Sequence, residues 1–280
     1  MLNQKEIITS RQNPTVKRLC ALADKKARRE ERLFRFDGIK LFREAVARGL
    51  SIKYAVICES YVERIEQEVL CAISEGRLSS DAVITVSETV FEKISEERSP
   101  EGIVTVAEFM PDRHRAISRQ EALEYQADPK ERLLIAEALR DPGNLGTVIR
   151  SCAALGIDRL IISDDCADIY SPKLIRAAMG GLFALNVDIV PSDSLCDVIF
   201  SLRRGGRRIY ATALYEQAME IGSFSLNRGD CFVIGNEGHG LSREVIGACD
   251  ACALIPMREG SESLNAAAAA AICIWETVRS

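Results

Sequence analysis

Histidine is scarce: His114 and His239 are the only two in 280 residues. With a single Cys-x-x-Cys, Cys249-Asp-Ala-Cys252, the chain has no four ligands at zinc spacing, so no metal site is expected. There is no Walker A loop and no Gly-x-Gly-x-x-Gly after the first strand pattern; Gly235-Asn-Glu-Gly238-His-Gly240 has the reverse spacing and comes late. The usual dinucleotide and phosphate-loop readings fail on that ground, and a generic nucleotide hydrolase loses its support. No apolar run reaches the roughly 18 residues a membrane helix needs, and Met-Leu-Asn-Gln-Lys-Glu at the start lacks the apolar core of a signal peptide. A cytoplasmic protein is expected, with no membrane partner. The ten cysteines then read as reduced thiols in apolar elements rather than a disulfide framework.

What is present is enough apolar material, 47% of 280 residues, for two domains with separate cores. Charge is uneven along the chain. Residues 1–50 carry 13 Lys and Arg against 6 Asp and Glu, a balance of +7; the remainder carries 23 against 35, a balance of −12. A basic arm on an acidic protein suits a polyanion, although Asp24-Lys-Lys-Ala-Arg-Arg-Glu-Glu-Arg32 also reads as a solvated helix face of mixed sign.

Periodicity predicts a small α/β domain over residues 1–108: helices at 14–32, 38–48, 63–75 and 88–96, strands at 53–58, 83–86 and 103–109. Residues 109–130 lose apolar periodicity, hold Pro111 and Pro129, and are read as a linker. From 131 to 280, strands at 133–139, 159–163, 185–190, 208–213, 231–235 and 251–255 alternate with helices, the first of them at 147–155. That pattern predicts an open parallel α/β sheet covered on both faces. Polar, glycine-bearing turns follow three of its apolar strands, where open sheets place ligand sites.

These turns carry Asp141-Pro-Gly-Asn144-Leu-Gly146 with Arg150, then Gly235-Asn-Glu237-Gly-His-Gly240-Leu-Ser242, then Ile255-Pro-Met257 with Ser263-Leu264-Asn265. In that order they resemble the three motifs of the SpoU (TrmH-type) RNA ribose 2′-O-methyltransferases of the SPOUT superfamily. Asp168-Ile-Tyr170-Ser-Pro-Lys173 with Arg176 and Gly180 is similar to the family's intervening segment. Ile8-Thr-Ser-Arg11-Gln-Asn13-Pro14, the basic helix and Ser99-Pro-Glu-Gly-Ile103 resemble an L30e-like RNA-binding domain.

The resemblance implies a deep C-terminal trefoil knot, bound S-adenosyl-L-methionine, an RNA substrate with ribosomal RNA favoured, and a homodimer through the catalytic domain. It implies catalytic roles for Arg150, Asn144, Glu237, Ser263 and Asn265, and cofactor contacts at Ala211, Thr212, Gly235, Glu237, Gly240, Ile255, Met257 and Leu264. RNA contacts fall on Arg11, Asn13, Lys17, Arg18, Lys25, Lys26, Arg28 and Arg29. Arg258-Glu259, where small residues are commoner, and Asp37 before Gly38 are departures. A guanidinium stays protonated, so Arg150 is expected to orient the hydroxyl and a phosphate; a plain surface arginine is the other reading. Asn144 in the strand-to-helix turn either fixes Arg150 or the ribose, or only caps the helix. Arg203-Arg204-Gly-Gly-Arg207-Arg208 reads as a solvated basic turn before a second phosphate patch. The alternative function is a non-catalytic RNA-binding or ribosome-assembly protein that retains the fold.

Overall fold

Alternating strands and amphipathic helices build two units, seen in a computed structural model that describes residues 6–215, 217–258 and 263–279. Unit 1 comprises Met1–Met110 and Asp168–Phe183; unit 2 comprises Pro111–Ala167 and Ala184–Ser280.

Unit 1 runs α1 (Pro14–Ala21), α2 (Lys25–Glu31), β1 (Leu33–Asp37), α3 (Ile39–Ala47), β2 (Ile52–Cys58), α4 (Val62–Ser74), β3 (Val83–Val86), α5 (Glu88–Ile94) and β4 (Ile103–Glu108). Its sheet has the order β1-β4-β2-β3, antiparallel except for the β2–β3 pair. The single helix expected over 14–32 is two. Asp24 breaks it by capping α2, its carboxylate accepting from the Lys26 and Ala27 amides. Strand β1 was not anticipated. All five of its residues are buried, including Arg35, which donates to the Ile94 carbonyl and to Glu96, and Asp37, which accepts from Ser95. Burial raises the Asp37 carboxyl above the usual range, with the Ser95 hydroxyl opposing it.

Unit 2 adds β5 (His114–Ala116), α6 (Arg119–Leu123), β6 (Leu133–Ala136), α7 (Pro142–Leu155) and β7 (Arg159–Ser163). After α8 (Pro172–Ala178) come β8 (Asn186–Val190), α9 (Leu195–Arg204), β9 (Ile209–Thr212), β10 (Met219–Glu220), β11 (Cys231–Ile234), α10 (Arg243–Ala248), β12 (Ala251–Leu254) and α11 (Ala266–Arg279). Every pair in its eight-stranded sheet, β10-β12-β9-β11-β6-β7-β8-β5, is parallel. The open parallel sheet expected from the strand pattern is therefore present. The stretch read as a linker is structured: β5 joins β8 at the sheet edge, and Ser118 with Glu121 forms a capping box that starts α6. Asp188 of β8, fully buried, accepts from the Tyr125 hydroxyl at 2.5 Å and from Arg159 at 3.2 Å, which ties this stretch to the sheet.

Beyond the linker, which unit 2 takes up from Pro111, the division into units departs from the sequence reading in the segment bearing α8, which belongs to unit 1. There the Tyr170 ring lies 4.8 Å from Phe34 and stacks on Phe109 at 4.0 Å, while Phe183 lies 5.2 Å from Phe36. Arg28, 3% exposed, pairs with Asp168 at 2.6 Å. Among the described residues no helix is long and apolar enough to cross a membrane.

A chain begun at Pro111 therefore keeps Ile169, Tyr170, Leu174, Ile175 and Phe183, all buried here, without the β1 face that covers them. Each such side chain forfeits about 1.5–3 kcal/mol of burial. The fragment is expected to aggregate or to lose near-ultraviolet circular dichroism; a monodisperse fragment that unfolds cooperatively refutes this account.

Candidate active site

Parallel strands deliver their C-terminal ends to one edge of a sheet, and the three motif segments follow β6, β11 and β12. After β6, Ala138 adopts φ 52°, a left-handed conformation costly for a residue with a Cβ. Its amide donates to Ser163 Oγ at 2.8 Å. Asp141 then caps α7 by accepting from the Asn144 amide at 2.8 Å, with Pro142 in the first turn. The helix thus starts five residues earlier than expected. Asn144 lies inside its first turn rather than in a preceding loop, and Arg150 sits in the third turn rather than the first.

After β11 the chain makes a closed turn: the Asn236 and Gly240 backbones exchange hydrogen bonds at 3.0 and 2.9 Å. Asn236 Oδ1 accepts from the Gly238 and His239 amides. A Cβ on Gly235 would lie 2.4 Å from the Gly240 carbonyl carbon, so the turn's own closure requires glycine there. Gly240, at φ 68°, faces open space. Ser242 caps α10. After β12, Ile255 and Met257 are half-buried; Glu259 lies outside the described residues. Asn265 Oδ1 accepts from the Ala267 and Ala268 amides at the start of α11.

One hydrogen-bonded chain joins the three segments. Asn265 Nδ2 donates to Asn144 Oδ1 at 3.0 Å, and Asn144 Nδ2 donates to Glu237 Oε1 at 3.1 Å. Asn236 Nδ2 reaches Glu237 Oε2 at 3.4 Å and the Ala138 carbonyl at 2.7 Å. Three of the five predicted catalytic residues meet here. Ser263 lies exposed near the start of α11. Arg150 is exposed with no side-chain partner among the described residues. It lies six residues beyond Asn144, about 9 Å along the axis and roughly 240° around the helix, so Asn144 does not fix it.

Among the predicted cofactor contacts, Thr212 ends β9 with its hydroxyl donating to the Val233 carbonyl, and Leu264 is 41% exposed. Ala211 is fully buried between β11 and β12, so a contact there falls to its backbone and not to its side chain. Sequence reasoning passed over Asn236 and Glu137, whose Oε2 accepts from the Ser242 amide at 2.9 Å. The readable signal was an asparagine next to a glycine, the composition of an Asx turn.

In unit 1, Lys17, Lys25 and Arg29 are exposed. Arg11 is exposed but donates to the Thr89 carbonyl, Arg18 pairs with Glu31 at 2.5 Å, and Lys26 lies 3.8 Å from Glu30. Asn13 caps α1. Arg28 is buried and donates to the Leu22 and Ala23 carbonyls as well as to Asp168, so its guanidinium is engaged within the unit. The basic turn at 203–208 is likewise engaged, Arg203 with Asp250, Arg207 with three carbonyls and Arg208 with Asp230.

Comparison with known proteins agrees with the motif order. Residues 131–275 match the SpoU rRNA Methylase family and residues 13–105 the MRM3-like substrate binding domain. The chain is 30% identical over 273 residues to the 23S rRNA (guanosine(2553)-2'-O)-methyltransferase RlmP of Bacillus subtilis, covering 96% of this chain and 97% of that one. An AdoMet-bound rRNA methyltransferase from Sinorhizobium meliloti is 30% identical with TM-score 0.81, over 98% of this chain and 97% of that one. The SpoU methyltransferase AviRb from Streptomyces viridochromogenes, solved with AdoMet, is 26% identical with TM-score 0.77, over 95% and 98%.

The closed turn yields a stability test. Gly235→Ala forces a methyl into the Gly240 and Leu241 backbone and is expected to cost about 1–3 kcal/mol, the range of overpacking. A shift of the urea midpoint at unchanged slope measures it; an unshifted midpoint contradicts the turn geometry.

Proposed function

The chain belongs to the SpoU rRNA methylase family, and from that membership we propose that it transfers a methyl group from S-adenosyl-L-methionine to a ribose 2′-hydroxyl of ribosomal RNA in the cytoplasm. The observation that carries the reading is the convergence of Asn144, Glu237 and Asn265 from three strand ends into one hydrogen-bonded cluster. The surroundings fit this cofactor. Half-buried Ile255 and Met257 and exposed Leu264 are apolar surface beside polar turns, which suits a flat adenosine better than bulk water does. S-adenosyl-L-methionine supplies an electrophilic methyl on a sulfonium, so the protein's task is to align the hydroxyl and let its proton leave.

Two groups divide that task. The Glu237 carboxylate, held by Asn144, gives a fixed negative site for the ribose. Arg150, whose guanidinium has no partner among the described residues, orients the hydroxyl through a phosphate. Its position on the outward side of α7 favours action across a homodimer. Trp275 of α11, the chain's only tryptophan, is 55% exposed beside Ala268 and half-buried Ile272, a small apolar face of the kind a second copy covers. The return of α11 from β12 to pack on α7 and β11 supports the reading of a C-terminal trefoil knot. Residues 1–108 recognise RNA, with Lys17, Lys25 and Arg29 as exposed cations toward phosphates.

Methyl transfer to ribosomal RNA lacking the modification, followed by mapping of 2′-O-methyl sites, tests the activity. Arg150→Ala is expected to lower kcat about a hundredfold or more while calorimetric cofactor affinity stays unchanged; joint loss of both assigns Arg150 to folding or cofactor binding instead. Trp275→Glu is expected to convert a dimer into a monomer in light scattering, and a mass unchanged by it places the interface elsewhere.

A further inference from the structure

Resting on the methyltransferase reading, the geometry points to Asn236 as the positioning residue that aims the Glu237 carboxylate. Its amide works at both ends. Oδ1 accepts from the Gly238 amide at 2.9 Å and the His239 amide at 3.2 Å, which shapes the turn. Nδ2 points the other way, to the Ala138 carbonyl at 2.7 Å and to Glu237 Oε2 at 3.4 Å. Ala138 is itself over-determined, held at φ 52° with its amide on Ser163. The turn is thereby bolted to a rigid point of the neighbouring motif.

Two other links join the same segments: the Glu137 amide to the Ile234 carbonyl, and the Ser242 amide to Glu137 Oε2, both at 2.9 Å. They fix the two ends of the loop and do not touch Glu237. An exposed carboxylate with the Asn144 contact alone swings about one hydrogen bond. A donor on each oxygen leaves it one orientation. Asn236 therefore acts through Glu237, not on substrate.

Asn236→Asp separates its two functions, because the substitution keeps the Oδ1 acceptor and replaces only the donor. The introduced carboxylate faces the Ala138 carbonyl and Glu237. We expect kcat to fall about tenfold to a hundredfold, the scale of a misplaced catalytic group, and cofactor affinity to fall by less, because the turn's own bonds survive. The loss is expected to shrink as pH falls from about 8 to about 5.5, since two facing carboxylates raise each other's pKa and a shared proton restores the donor. Among the described residues, the other charged or titratable groups on the segments that meet here are Glu137, Arg140, Asp141, His239 and Arg258, so each measurement is taken as the difference from the unsubstituted protein at the same pH.

The melting temperature supplies a readout independent of activity. A folded-state pKa raised in the pair means protons stabilise the variant, so its deficit in Tm relative to the parent grows with pH, and Glu237→Gln lessens that growth, leaving the part that the Ala138 carbonyl causes. Unchanged kcat, an equal loss of cofactor affinity, or a Tm deficit indifferent to Glu237→Gln overturns the assignment. Absence of methyl transfer by the parent protein refutes the RNA reading instead, while the Tm comparison still decides whether the Asn236 donor faces Glu237.

Discussion

A carboxylate accepts hydrogen bonds and never donates them, and that asymmetry orders the candidate site. At one end of the cluster stand the Ala267 and Ala268 amides of α11, which only donate; at the other stands Glu237, which only accepts. Asn265 and Asn144 lie between, and one orientation of each side-chain amide satisfies both neighbours. Flipping either breaks the run on both sides. A polarised chain of this kind strengthens along its length, and here it crosses separations of 121 and 93 residues. Such distant segments meet because every strand of the unit 2 sheet points the same way.

An all-parallel sheet imposes its own cost, since strands covered on both faces have nowhere to put charge. β6 and β11 are buried at every position. Asp188 on β8, fully buried, is tolerated because Tyr125 and Arg159 satisfy it. Unit 1 solves the same problem with Arg28. A buried cation without a counter-ion destabilises severely, and Asp168 together with two carbonyls supplies its partners. The consequence is functional as well as structural. One arginine of the basic helix is spent on packing, which fixes the helix so that Lys25 and Arg29 remain outward.

Legibility in the sequence followed the range of the interactions involved. The strand ends were readable because apolar runs and Gly, Asn and Pro punctuation are local, and the parallel architecture follows from strands alternating with helices. Asn144, Glu237 and Asn265 were readable only through motif order, since no local pattern says that they touch. The break after Leu22, the strand β1 and the role of Arg28 were not readable. Arg35 and Asp37 look like surface residues until Ile94, Glu96 and Ser95 are brought to them, and Arg28 looks like a nucleic-acid contact until a residue 140 positions away takes its charge. The same limit hid the membership of α8 in unit 1, which depends on Phe34 and Phe36 facing Tyr170 and Phe183.

The contrast between a fixed carboxylate and a free guanidinium fits a reaction whose substrate brings its own charge. Groups that act on a neutral hydroxyl gain from being held before the substrate arrives, because no reorganisation is then needed at the moment of reaction. A cation meant for phosphate gains nothing from an internal carboxylate, which would have to be displaced first. Arg150 carries no such partner among the described residues, whereas Arg18, Arg28, Arg203 and Arg208 all do. The rotamer entropy of its side chain, about 2 kcal/mol, is then lost only when a backbone phosphate docks. On the proposed function, ordering Arg150 couples completion of the site to the arrival of RNA.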